Sequence, residues 1–195
     1  MRPLIASLLL IASPVLLRGQ SGDSHSIEIR GHYIGESTVR FLHLESEARE
    51  DAEVCRQHPA ASFCLHLLGA IDNGERAEIS VSVLPDLNSP DAARDPITFV
   101  LDGKKVVKIT MLVNSVSDAM KMLGPPSSES DAPDKNRAGQ KWVDHLTVWE
   151  NAEVYATLYQ DNNPSLEDRR PVLVVESRAE KARAEADATK PTGAR

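Results

Sequence analysis

The hydrophobic pattern of this chain changes period several times, and those changes define its elements. Leu4 to Leu17 is an uncharged apolar run, preceded by Met1 and Arg2 and followed by Gly19, Gln20, Ser21 and Gly22. A positive start, a short apolar centre and a small-residue exit are the layout of a secretory signal peptide. The run falls short of the roughly 20 apolar residues of a membrane span, and Pro14 interrupts it. Residues 1–21 are therefore read as a leader, cut after Ser21 because small residues stand at Gly19 and Ser21.

Beyond the leader, Ser26 to Arg30 reads as a short strand with Ile27 and Ile29 on one face, followed by a turn over Gly31 to Gly35. Ser37 to Leu44 and Ser46 to Cys55 read as two helices, the second polar, with Ala48, Ala52 and Cys55 at helical spacing. Pro59 breaks the second. A third helix is expected over Ala60 to Ile71, with Phe63, Cys64, Leu67, Leu68 and Ile71 inward, ending at the Asn73-Gly74 turn. The period then becomes two: Ile79, Val81 and Val83 alternate with Glu78, Ser80 and Ser82 in a half-buried strand. After a Pro/Asp/Asn-rich loop to Pro96, Ile97–Leu101, Asp102-Gly103 and Lys105–Val113 signal a β-hairpin. A three-residue loop with Gly103 as a bulge sets Phe99 opposite Val107 and keeps one face apolar, so it is preferred to a two-residue loop.

Ser115 to Leu123 carries an S-x-x-D cap and apolar residues at Val116, Ala119, Met120 and Leu123, and Gly124 with Pro125-Pro126 stops it. Ser127 to Gly139 reads as a polar loop. Three strands follow: Trp142–Glu150 with a break near Asp144, Glu153–Gln160 after a tight Asn151-Ala152 turn, and Pro171–Glu176. Val172 to Val175 is apolar on both sides, which marks a central strand. From Ser177 onward only alanine supplies an apolar face, so residues 177–195 read as a charged, disordered tail, with Lys181–Glu185 and Arg183–Asp187 able to pair. The expected architecture is α+β: one antiparallel sheet with helices packed on one face, over residues 22–176, divisible into halves 22–113 and 114–176.

Composition narrows the function classes. The full chain has 22 basic and 29 acidic residues; without Arg2 and Arg18 of the leader, the net charge is −9. Such a surface argues against nucleic acid and against anionic lipid, both of which require a positive footprint. No later segment is apolar enough for stable membrane insertion, so the expectation is a soluble, exported protein, periplasmic or secreted.

The phrases VSDAMKMLGPP, the later Trp142 and FVLDGKKVVKI, in an order of helix, strand and hairpin that occurs twice, resemble the small α+β modules of SmpA/OmlA outer-membrane lipoproteins and β-lactamase-inhibitor-like proteins. The resemblance covers roughly residues 27–176 and extends to small exported bacterial proteins of this size. It implies a protein that binds other proteins and does not catalyse. The lipoproteins carry a lipid-anchored cysteine after the leader; this chain has none, so no lipid anchor is expected.

The candidates for chemistry are few. Cys55 and Cys64 are the only cysteines and, in an exported chain, read as a disulfide across Pro59. With His58 and His66 they also offer two thiols and two imidazoles, the ligand types of a tetrahedral zinc site, which is the alternative function: a small periplasmic metal- or ligand-binding protein. The serines lack a G-x-S-x-G context, Asp144-His145 is an isolated dipeptide, and the acidic cluster Glu45 to Glu53 contains Arg49 and reads as a solvated helix face. No catalytic residue and no cofactor is assigned, and the chain is not read as an enzyme. The leading expectation rests on aromatic residues: Trp149, Tyr155 and Tyr159 among threonines on one hairpin face, opposite an aliphatic face of Leu146, Val148, Val154, Ala156 and Leu158. That face is read either as an exposed anchor for a protein partner or as core covered by the tail or the other half.

Overall fold

Local capping fixes the first helices. In the computed structural model, which describes residues 27–59, 61–82, 96–166 and 170–189, the Ser37 side chain accepts the Arg40 amide and starts α1 (Thr38–Leu44). Helix α2 (Ser46–Gln57) buries Ala48, Ala52 and Cys55, the three positions at helical spacing. It ends at His58, beside Pro59. Ahead of these, β1 (Glu28–Ile29) and β2 (His32–Tyr33) form a two-residue ladder turned by Arg30 and Gly31, both at positive φ. Helix α3 is shorter than its apolar pattern, Ser62–Leu68, and passes into a wider π turn over Gly69–Asn73. Cys64 and Leu67 face inward, whereas Phe63 is 53% exposed, contrary to the sequence expectation.

Among the described residues the main sheet has seven strands, all antiparallel, in the order β3-β4-β5-β9-β8-β7-β6. They are β3 (Ala77–Ser82), β4 (Pro96–Asp102), β5 (Lys105–Leu112), β6 (Ser128–Lys135), β7 (Lys141–Glu150), β8 (Val154–Gln160) and β9 (Val172–Ser177). The apolar β9 is the central strand, as its two-sided pattern predicts. One core joins α1–α4 to the inner sheet face through Phe41, Leu67, Phe99, Ile109, Leu158, Leu173 and Val175, with Val116, Met120 and Leu123 of α4 (Val116–Leu123) against it. This is the expected α+β architecture with an antiparallel sheet, except that the helices are not all on one face: the C-terminal helix over 178–188 lies on the other. Export of the leader and the Pro/Asp/Asn-rich loop concern residues outside those described.

Four details differ from the pattern reading. The β4–β5 loop is the two residues Gly103 and Lys104, both at positive φ, and the extra residue sits inside the ladder instead, so Phe99 faces Ile109 rather than Val107. The apolar face survives because the bulge restores the parity that the short loop disturbs. Residues 128–135 form strand β6, not a loop, because β7 presents a full row of backbone groups to pair with. Strand β7 runs unbroken through Asp144. The start of the tail is a helix, α5 (Arg178–Ala188), capped by Ser177.

Helix α5 adheres through charge. Arg76 donates to Glu180 at 2.9 and 2.5 Å, Arg183 to Asp102 at 2.8 Å and Arg178 to Glu150 at 3.0 Å. Lys181 pairs with Glu185 as its spacing predicts.

Candidate functional site

The outer face of the sheet, opposite α1–α4, is organised in cross-strand rows. One row runs Glu150–Tyr155–Glu176–Lys108–Val100. The next is Val148–Thr157–Val174–Thr110–Thr98. The third is Leu146–Tyr159–Val172–Leu112. Helix α5 lies over the first row. There the Lys181 ammonium stands 3.5 Å from the Tyr155 ring centroid and Arg178 bonds Glu150. Glu176 in this row is 9% exposed; its carboxyl is pushed up by burial, against the pull of Lys108. In the third row Tyr159 is 40% exposed and its three neighbours are half-buried.

The three aromatic residues singled out in the sequence are not brought together. Trp149 is on the other face, 3% exposed, and its indole N–H donates to the Gly124 carbonyl at 2.9 Å, at the end of α4. The expectation of one aromatic face puts Trp149 on the same side as Tyr155 and Tyr159; the ladder instead places Trp149 opposite Ala156 and Glu150 opposite Tyr155. A one-residue change of register moves every side chain of a strand to the other face. Thr147 and Trp149 therefore join Val154, Ala156 and Leu158 in the interior, and Leu146 and Val148 join the tyrosines outside. The small Ala156 opposite leaves room for the indole, and the helix end supplies its hydrogen-bond acceptor.

Tyr159 is held rather than free. Its hydroxyl donates to Asp144 Oδ2 at 2.7 Å, and Asp144 Oδ1 accepts the Asn162 amide at 3.0 Å. Those bonds, the tyrosine's first, hold the Asp144 carboxyl below the usual range despite its burial. The same bond, with burial and the charges of Asp144, Asp161 and Asp134, pushes Tyr159 up to about 12. Asp144 and His145 do not act together: successive strand residues face opposite ways, and His145 Nδ1 meets Asp131 Oδ1 at 2.7 Å instead.

Cys55 and Cys64 form a disulfide, with Cα atoms 4.9 Å apart. Both sulfurs are thereby taken, and His58 and His66 are exposed, so the four-ligand zinc set is not assembled; among the described residues no group of three or more His, Cys, Asp or Glu side chains is arranged to hold a metal. In the acidic stretch, Glu47 accepts the Ser82 amide at 2.9 Å and Glu45 bonds a histidine.

That histidine is the polar centre the sequence reading missed. His32 is 1% exposed, with Nδ1 2.6 Å from Glu36 Oε1 and Nε2 2.8 Å from Glu45 Oε1. The Glu36 side chain is fully buried, and its second oxygen lies 3.3 Å from Arg40 Nε without hydrogen-bond geometry. The imidazole ring meets Phe41 and Phe99 at centroid distances of 5.7 and 4.9 Å. Burial alone lowers a histidine, but the bonds and charges of the two glutamates outweigh it here, and His32 is raised above its ordinary value. The three residues lie on a strand, a loop and a helix cap, so no spacing rule collects them.

No protein-family model matches this chain, and neither a curated protein nor a solved structure is significantly similar to it. Among the described residues no helix is long and apolar enough to cross a membrane.

Proposed function

We propose that this is an exported, non-catalytic binding protein that engages a protein partner through the outer sheet face, along the row Leu146–Tyr159–Val172–Leu112. The observation that carries the reading is Tyr159: a 40% exposed aromatic, fixed by the bond to Asp144, in an apolar row on a rigid sheet. Pre-fixed aromatic side chains make strong interface anchors because little freedom is lost when they are covered. Asp134 and Asp161 add negative charge close to Tyr159, which with the acidic chain favours a partner presenting basic side chains. The leader pattern and the disulfide support an oxidising, exported setting.

A photo-cross-linking residue placed at Tyr159 or Leu146 in exporting cells, with Glu50 and Glu53 on α2 as controls, tests this. A discrete adduct from the sheet positions and none from the helix positions is expected. Equal labelling from both faces, or none from the sheet, would overturn the assignment.

A further inference from the structure

The segment Gly35–Thr38 completes the sheet where β9 ends. Strand β9 pairs with β5 only from Lys108 to Leu112. The part of β5 before that is taken by Gly35, which donates to Val106 at 2.8 Å, by Glu36, which accepts from Val106 at 3.0 Å, and by Thr38, which donates to Lys104 at 2.9 Å. The N-terminal corner, β1, β2 and α1 with the start of α2, is thus attached to the sheet through one short backbone pairing, the Phe41–Phe99 and His32–Phe99 contacts, each with centroids 4.9 Å apart, and the Glu47 bond to the Ser82 amide.

His32 sits at the hub of this corner. Its two nitrogens face two carboxylates, one on the pairing segment (Glu36) and one at the α1–α2 junction (Glu45). Only an imidazolium can donate to both. Arg40 is the other charge facing the group: it lies beside Glu36, and its guanidinium donates to the Gly31 carbonyl at 3.0 Å. With His32 charged, two cations meet two anions. With His32 neutral, one ring nitrogen turns a lone pair toward a carboxylate, and the fully buried Glu36 keeps only Arg40 as a counter-charge.

We propose that His32 is a proton-operated latch: as an imidazolium clasped between Glu36 and Glu45 it closes the N-terminal corner on the sheet, and its deprotonation lets that corner open while the rest of the sheet stays folded. The sign follows from linkage. A histidine raised in the closed state stabilises it fully below the ordinary value of 6.5, and that stability is lost as pH rises through the higher closed-state value. Between the two values the opening equilibrium rises about tenfold per pH unit, and it is flat above them.

The test is amide hydrogen exchange of the disulfide-intact protein across pH 5.5–9, corrected for the intrinsic rate, with the His32 ring followed by nitrogen-15 NMR. The latch requires His32 to be doubly protonated at pH 6, and amides of residues 29–44 to open faster as it titrates while those of β8 and β9 do not. A singly protonated His32 at pH 6, or corner and sheet responding alike, overturns it. Glu45→Gln, at a side chain 26% exposed, keeps the test usable where His32→Gln fails to fold. It must move the transition to lower pH, and an unmoved transition refutes the clasp.

Discussion

Replacing Trp149 separates the observed register from the alternative in which it would face outward. The side chain is 3% exposed, lies opposite Ala156 and donates to the Gly124 carbonyl. Trp149→Ala removes the indole from a packed interior and leaves that carbonyl without its donor. Buried Trp→Ala changes cost about 3–5 kcal/mol. For a domain of this size, roughly 2–4 °C per kcal/mol makes this a Tm loss of about 6–20 °C. Trp149→Phe keeps most of the volume but not the N–H, so the cost should be about 1–3 kcal/mol. Urea unfolding followed by far-ultraviolet circular dichroism measures both, with Tyr159→Ala as the surface comparison. If Trp149→Ala costs less than about 1 kcal/mol, or less than Tyr159→Ala, the hairpin register described here is wrong.

Further outcomes follow from other parts of the molecule. Replacing Cys55 and Cys64 together by alanine should cost about 2–3 kcal/mol, the chain-entropy value for so short a loop, read from urea midpoints; an unchanged midpoint would show that the bridge adds nothing. Arg76→Ala leaves Glu180, 7% exposed, without its main partner. The loss should be about 1–2 kcal/mol, below the buried-pair value because Arg76 is 34% exposed. Hydrogen exchange should show it as faster opening of α5, and unaltered α5 protection would refute the charge-held docking. Tyr159 should titrate at about 12 by ultraviolet difference absorbance, and Asp144→Asn should return it toward its usual 10. The hydroxyl bond then stabilises the fold fully below pH 10 and is lost as pH rises through about 12. On the acid side the lowered Asp144 contributes above 3.8 and is lost as pH falls through its folded value. A Tyr159 titration at 10 in the unsubstituted protein would remove the bond from the description.

Much of this fold is legible in the sequence because local physics decides it. Ser37, Ser115 and Gly124 mark helix ends that the structure keeps, and the alternation in β3 gives a strictly alternating burial pattern. What was not legible depends on distant partners. SESDAPDK of β6 has neither β-branched nor aromatic residues and is a strand only because β7 needs an edge partner. Helix α5 has no apolar stripe, and its anchors Arg76 and Asp102 are far away in the chain. Alternation assigns the two faces of β7 and of β8 as the structure has them, but joining them takes the hairpin register, which polarity alone does not supply. The His32 centre was hidden in what reads locally as a turn and a solvated acidic helix.

The sheet edges sharpen the functional reading. A partner could in principle add a strand to β6 or β3, since sheet edges offer unpaired backbone. All eight residues of β6 are exposed, but Glu129, Asp131 and Asp134 charge it and Pro133 has no N–H to give. On β3, Glu47 of α2 already takes the Ser82 amide. Both edges thus carry the features that discourage strand addition, whereas the row at Leu146, Tyr159 and Val172 carries none of them. A partner that meets this protein through side chains on the face is therefore better accommodated than one that pairs backbone at an edge. Such a complex should survive Glu129→Pro on β6, where the N–H points away from β7, and lose affinity with Tyr159→Ala, as read by titration calorimetry of the cross-linked partner once purified. Loss with the edge substitution alone would place the contact on the edge.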